Sequence, residues 1–321
     1  MKAAIRLIVP ELTRGVKMAA FLGAVALVLA ACSLGSLSGK GGPTSTTLCA
    51  ATAAGLSLSL SSGTSWLNFL AGTQVNGVFA VASGVTTTFY AATSSGLQVS
   101  SNGGAAWTTL QSGTISSVVV SGTNIYAGMN PGGLAVNTGS GFSTKLPGQN
   151  VTGVFVSGLT VYAATTTGLQ ASVDGGNTFA PTTLSASVTG VYAVGSTIYA
   201  ATTTGVWISL DGGTTWTQYT TANGLGSNVV QGIFVSGSIY AATTGGLSVS
   251  SNSGTSWTTF TQLAGGGLGS NNVLGVYVSG TTIYAATAGG LSISTNAGTT
   301  WTTATVVNGL PTNTVNGVFV Q

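Results

Sequence analysis

A chain of 321 residues with 50 glycines, 44% hydrophobic residues and only 3% charged residues is too apolar, and too rich in β-branched side chains, for intrinsic disorder. Its formal net charge is +3, but Lys2, Arg6, Arg14, Lys17 and Glu11 all precede residue 18, and the rest, with Lys40, Lys145, Asp174 and Asp211, is neutral. That balance excludes a basic nucleic-acid surface, and the lack of histidine removes the usual general base and the commonest metal ligand.

Residues 1–31 read as a leader. Lys2, Arg6, Arg14 and Lys17 form a basic region, Met18–Leu29 an apolar run, and Leu29-Ala30-Ala31-Cys32 follows with small residues at the cut. The run is shorter than the ~20 residues that span a bilayer as a helix. This stretch resembles a bacterial lipoprotein signal with its lipobox, and the resemblance implies that Cys32 becomes the acylated first residue of the mature protein. Ser33, by the same analogy, implies sorting to the outer membrane. An ordinary signal peptide or an uncleaved anchor is the alternative. Residues 32–45, rich in Gly and Ser, read as a flexible tether, and residues 46–321 as the folded domain. Cys49 stands where later repeats have Tyr and reads as a small buried hydrophobe, not a reactive thiol.

From there the chain repeats itself. Segments of the Tyr-Ala-Ala-Thr type begin at Cys49, Tyr90, Tyr126, Tyr162, Tyr199, Tyr240 and Tyr284, which makes seven units 36 to 44 residues apart. Each leads through Gly-Leu or a variant of it to an eight-residue turn that ends in an aromatic: Trp66, Trp107, Phe142, Phe179, Trp216, Trp257 and Trp301. All but the first are preceded by an alternating apolar run such as Val151-Thr152-Gly153-Val154-Phe155-Val156. Four short strands per ~40-residue unit predict a seven-bladed, all-β propeller of four-stranded blades. Residues 46–66 lack the first strand of a unit, and Val315–Gln321 is a first strand with nothing after it. The spacing therefore predicts that the C-terminal strand completes the N-terminal blade and removes its open edge. A β-solenoid is the alternative architecture.

At its best the turn reads Ser-x-Asp-x-Gly-x-Thr-Trp, a pattern in which a short polar side chain accepts backbone N–H bonds and glycine supplies positive φ. These turns resemble the Asp-box, or BNR, repeat of sialidase-like and photosystem-assembly-factor-like propellers. The match is full at Asp174 and Asp211 and relaxed to Asn at Asn102, Asn252 and Asn296. It is weakest at Ser59–Trp66 and Ala135–Phe142. In that family the box is a structural turn and carries no chemistry. The segments Gly224–Val230, Gly267–Val273 and Gly309–Val315 resemble the Gly-Leu-Pro-Ser-Asn-x-Val stretch of two-component-regulator propellers, which implies a sensor-like module.

The composition argues against catalysis. A sialidase-like site needs an arginine triad, and both arginines, Arg6 and Arg14, lie in the leader. A glycosidase of the usual kind needs two carboxylates facing one bond, whereas Asp174 and Asp211 belong to separate turns explained by their own hydrogen bonding. No catalytic, cofactor or metal residues are assigned, and no cofactor is expected. Trp207 is off pattern and reads as packing or a lone surface aromatic.

The expected function is therefore that of a lipid-anchored, non-enzymatic envelope propeller that binds or scaffolds, with a carbohydrate-binding or degenerate sialidase-like propeller as the alternative. The expected partner is an envelope protein or an uncharged glycan, and zero net charge also permits self-association. Three consecutive connectors, after Trp216, Trp257 and Trp301, are longer than the others, and long ordered loops tend to be functional. They are expected to form a one-sided binding lip around Leu225, Leu268 and Leu310, with Asn228, Asn271 and Asn313 offering amides. The competing reading tucks these leucines between blades and uses the asparagines to cap turns.

Overall fold

The computed structural model describes residues 47–84, 86–263 and 266–321. The leader, Cys32 and the tether lie outside the described residues. The described chain forms seven four-stranded antiparallel sheets arranged as the blades of a propeller. Blade 1 takes its innermost strand, Val315–Val320, from the C-terminus and continues outward through Leu48–Thr52, Gly55–Ser59 and Leu67–Phe69. Blades 2 to 7 are continuous in sequence, with innermost strands Val75–Ser83, Ile115–Ser121, Val151–Ser157, Val188–Val194, Val230–Ser236 and Val273–Ser279.

The repeat makes each blade in the same way. The Tyr-Ala-Ala-Thr segment is the second strand, and in six blades the hydroxyl of its threonine, as in Thr165 and Thr202, donates at 2.7 Å to the carbonyl three residues on. That bond closes the turn into the third strand. The glycine of the turn is sterically required: at Gly168 φ is +152°, and a Cβ would lie 2.6 Å from the Leu184 carbonyl oxygen. Blade 3 has Met129 in place of the threonine.

Between blades the small second-strand residues Ala163, Ala164, Ala200 and Ala201 are fully buried, so neighbouring sheets approach closely and their larger side chains interdigitate. The cluster between blades 4 and 5, for example, joins Tyr162, Leu169 and Leu184 to Val188, Ile198 and Ala200, with Trp216 packed against it. Cys49 is buried in the cluster between blades 1 and 2, and burial raises its thiol pKa well above the usual range.

Every innermost strand begins with a register shift against the second strand. Such a bulge re-aims one side chain, and in six of the seven blades that residue bolts the blade to the next. Asn76 donates to the Ile115 carbonyl at 2.7 Å, Thr152 to Val188 at 2.6 Å, Thr189 to Val230 at 2.6 Å and Gln231 to Val273 at 2.8 Å. Ser116 does the same to Val151, and Asn316 to Val75. Leu274 takes this place in blade 7, so the junction from blade 7 to blade 1 has no such bolt.

Candidate functional site

Because strands alternate in direction, the turns between strands one and two and the box turns share one face, called here the turn face. The Thr-x-x-Gly turns and the blade-to-blade connectors share the other, the connector face. The central channel lies between them. Its wall carries Phe79, Phe155, Tyr192, Phe234, Tyr277 and Phe319, one from each innermost strand except that of blade 3, which has Val119. These half-buried rings touch in succession, Phe155 to Tyr192, Tyr192 to Phe234, Phe234 to Tyr277, Tyr277 to Phe319 and Phe319 to Phe79, with centroids 4.6 to 5.6 Å apart. Desolvation raises the pKa of Tyr192 and Tyr277, so both phenols are neutral near pH 7. This aromatic belt is thus uncharged.

The two carboxylates stand on the turn face in adjacent blades. Asp174 accepts from the Ser172 hydroxyl at 2.7 Å, from the Asn177 and Thr178 amides at 3.0 and 2.9 Å, and from the Thr178 hydroxyl at 2.6 Å. Asp211 repeats this with Ser209, Thr214 and Thr215. The hydrogen bond from Ser172, then those from Thr178, hold the Asp174 carboxyl well below the ordinary range. Those from Thr215 and then Ser209 bring Asp211 to about 2.

Asparagine builds the same turn. The side-chain oxygens of Asn102, Asn252 and Asn296 accept the corresponding amides at 2.9 to 3.0 Å. The amide groups of Asn252 and Asn296 also donate to the hydroxyls of Ser256 and Thr300 at 2.9 Å. Among the described residues no three His, Cys, Asp or Glu side chains come together.

On the connector face the three long connectors are ordered differently from the expected lip. Leu225, Leu268 and Leu310 are at most 4% exposed and belong to the clusters between blades 5 and 6, 6 and 7, and 7 and 1. Burial of apolar side chains this size is favourable, so these leucines pack between blades, as the competing reading expects, and do not stand out as an exposed lip. Asn228, Asn271 and Asn313 remain exposed, but their carbonyl oxygens accept the backbone amides of Thr221, Gln262 and Val306 at 2.8, 2.6 and 2.9 Å. They brace the connectors. Two of the connectors contain a 3-10 turn, Thr221–Asn223 and Val306–Asn308, each with a capping box and a left-handed glycine at its end. The exposed apolar residues of these connectors are Val229, Leu263, Val306 and Val307.

Four further exposed apolar residues, Leu159, Val173, Val194 and Leu210, lie on the turn face of blades 4 and 5. Alignment of the repeats reveals them, since Val173 and Leu210 stand where blades 2, 6 and 7 have Ser101, Ser251 and Thr295. Trp207 is half-buried against the cluster between blades 4 and 5, with its indole N–H 3.4 Å from the Thr204 hydroxyl, which accounts for it as packing. A groove of about 420 Å³ opens between the box turns of blades 4 and 5, lined by Val173, Phe179 and Pro181 on one side and Gly212–Thr214 on the other.

With that geometry in hand, the chain can be placed among known proteins. A family model described as DUF6242 beta propeller domain matches residues 209–321, from the box turn of blade 5 to the C-terminal strand. No curated protein sequence matches the chain. The extracellular domain assigned to the hybrid two component system BT3049 of B. thetaiotaomicron superposes with a TM-score of 0.65 at 18% identity, over 76% of this chain and 36% of that one. YCF48 bound to D1 peptide gives 0.50 at 17% identity, over 70% and 80%. The GH74 xyloglucanase from Xanthomonas campestris gives 0.54 at 16% identity, over 80% and 46%. The chain thus spans less than half the length of the sensor domain and of the xyloglucanase, and at these identities the likeness is one of fold: a seven-bladed β-propeller closed by its C-terminal strand.

Proposed function

We propose that this propeller is a non-enzymatic, extracytoplasmic module that binds another protein, anchored to a membrane by acylated Cys32. The observation that carries the reading is the fate of the carboxylates: Asp174 and Asp211 are each held as anions by their own turn. General acid–base chemistry needs a group poised near the working pH and within reach of substrate, and these two are neither poised nor placed at the channel. An extracellular sensor domain and a peptide-bound protein among the structures of similar fold support a binding role outside the cytoplasm.

The resemblance at Leu29–Cys32 supports the anchor, and Ser33 supports the outer membrane. The described chain begins on the turn face, where Leu48 pairs with Val320.

Two measurements test the reading. Metabolic labelling with an alkyne fatty acid should mark the full-length wild-type protein and not Cys32→Ser, and mass spectrometry should place the acyl groups on an N-terminal Cys32. Hydrolysis of a panel of β-glucan and sialoside substrates should stay at background. Turnover that is lost on Asp174→Asn or Asp211→Asn would replace the binding reading with an enzymatic one.

A further inference from the structure

Exposed apolar side chains on the turn face are concentrated on two neighbouring blades. Leu159, Val173, Val194 and Leu210 are 70%, 78%, 54% and 72% exposed. Leu159 stands where blades 3 and 7 have Thr123 and Thr281, and Val194 where they have Ser121 and Ser279. The first pair is contiguous with its box turn: the Gly175 amide donates to the Leu159 carbonyl at 2.9 Å. In blade 5 the Gly212 amide donates to the Ser196 carbonyl at 3.0 Å, and the Ser196 hydroxyl to the Leu210 carbonyl at 3.2 Å.

The same two blades carry both carboxylates. Their turns form without the charge, because the side-chain oxygens of Asn102, Asn252 and Asn296 accept the amide four residues on in blades 2, 6 and 7 as well. What aspartate adds is a fixed negative charge beside each exposed apolar pair.

The groove between the two box turns takes Val173 and Gly212 into its lining, so Asp174 and Asp211 are the residues next to its walls in sequence, while Leu159, Val194 and Leu210 lie outside it. Its apolar wall is Val173, Phe179 and Pro181, and its far wall is Gly212–Thr214. The base is held firmly, since the Thr183 hydroxyl lies 3.0 and 2.9 Å from the carbonyls of Gly213 and Thr214. The outermost strand of blade 4 is only Ala180–Pro181, so the rim is open, and a proline on an edge offers no N–H for strand pairing.

We propose that this groove is the docking site for an extended, basic and apolar segment of a partner protein. Its apolar side chains seat on Val173, Phe179 and Pro181, and its Lys or Arg side chains reach Asp174 and Asp211. The proposal rests on the reading of the domain as a protein-binding module and adds the chemistry of the partner.

A bilayer surface suits the site less well. Its headgroup region would have to desolvate two carboxylates that stay ionised, which is costly for an unpaired charge. A second copy suits it less well too, because the described residues contain a single cation, Lys145, against two anions.

The test uses fluorescent decapeptides of equal length that combine Lys with Leu, Lys with Ser, or Glu with Leu, titrated against the full chain. Saturable binding of the Lys/Leu peptide alone is expected, weakening as salt rises. Asp174→Asn with Asp211→Asn should reduce affinity by roughly three- to tenfold, the scale of two partly exposed ion pairs. Val173→Ser should reduce it by a similar factor. Val306→Ser with Val307→Ser, on the opposite face, should have no effect. The valine and leucine substitutions are at exposed positions and should leave the melting temperature unchanged, whereas the Asp→Asn pair should lower it modestly without unfolding the domain, because asparagine forms the same turn in blades 2, 6 and 7.

Binding that ignores the Asp→Asn changes, or equal binding of the Glu/Leu peptide, overturns the proposal. So does binding of none of the peptides, or capture by neutral phosphatidylcholine vesicles that is lost on Leu159→Ser. Concentration-dependent dimerisation abolished by the same substitutions overturns it in favour of a second copy. A partner crosslinked in native membranes and retained in full by the Asp→Asn and Val173→Ser variants overturns the groove while leaving the protein-binding function standing.

Discussion

Cys49 lies directly opposite Phe319 in the ladder that joins Leu48–Thr52 to Val315–Val320. The Thr47 and Gln321 backbones exchange reciprocal hydrogen bonds of 3.1 Å beside it. Deleting residues 315–321 therefore strips blade 1 of its innermost strand and opens the cluster that holds Leu48 and Ala50. The truncated protein should lose its cooperative thermal transition and aggregate, since unpaired apolar edges recruit other chains. Light scattering with calorimetry checks this, and a monomeric truncation with an unchanged melting temperature would contradict ring closure.

Leu225, Leu268 and Leu310 each fill a junction between blades. Replacing any one by Ser should cost about 2–5 kcal/mol, as for other buried leucine truncations, with serine's buried hydroxyl pushing toward the upper end. Urea denaturation of the single variants measures this. A change below about 0.5 kcal/mol, the usual effect at a surface site, would return these leucines to the rim.

Phe234 sits between Tyr192 and Tyr277, with centroids 5.1 and 4.9 Å away. Phe234→Ala should cost about 2–4 kcal/mol, because it removes the ring's buried area and two aromatic contacts. Tyr192→Phe and Tyr277→Phe keep the rings and should cost far less. The comparison by chemical denaturation separates ring packing from any requirement for the hydroxyls.

The pH dependence should be flat near neutrality and fall at both ends. Asp174 and Asp211 have folded-state pKa values below the ordinary 3.8. The stability they contribute is present above about pH 4 and is lost as pH falls toward 2, the value at Asp211. Cys49, Tyr192 and Tyr277 are raised by burial, so the folded state holds their protons more tightly. Their contribution is present below the ordinary thiol value of 9.0 and is lost as pH rises beyond it. Denaturation from pH 2 to 11 should show a plateau from about 5 to 8, and Cys49→Ala should soften the decline just above 9. A steep loss between pH 7 and 5 would contradict this assignment.

Thr189 bonds blade 5 to the Val230 carbonyl of blade 6 at 2.6 Å. Thr189→Val keeps the shape and leaves that carbonyl short of a donor, so a loss of about 1–3 kcal/mol is expected. Leu274→Asn, which places a donor at the one junction without a bolt, should be neutral or stabilising. Both are read from urea midpoints.

The number of blades, the strand order and the closure were legible in the sequence, because Tyr-Ala-Ala-Thr, the following glycine and the box turn recur in phase from Cys49 to Trp301. Each is a local device whose hydrogen bonds fall within a few residues, so its geometry follows from its own composition. The bolts between blades were not legible. Asn76, Ser116, Thr152, Thr189, Gln231 and Asn316 span four residue types, and their common role depends on a bulge and on the carbonyl of the next blade.

The same division runs through the candidate site. Sequence alone determined that Asp174 and Asp211 are turn residues, since the turn that satisfies them is eight residues long, and that the connectors after Trp216, Trp257 and Trp301 are longer than the rest. It did not determine which side of a connector faces water. Leu225 and Val229 sit four residues apart in one loop, yet the first is buried and the second exposed, and only the neighbouring blade decides between them. The gathering of Leu159, Val173, Val194 and Leu210 with both carboxylates likewise belongs to the ring. Side chains more than 30 residues apart become neighbours because closing seven similar sheets around one axis stacks equivalent turns side by side.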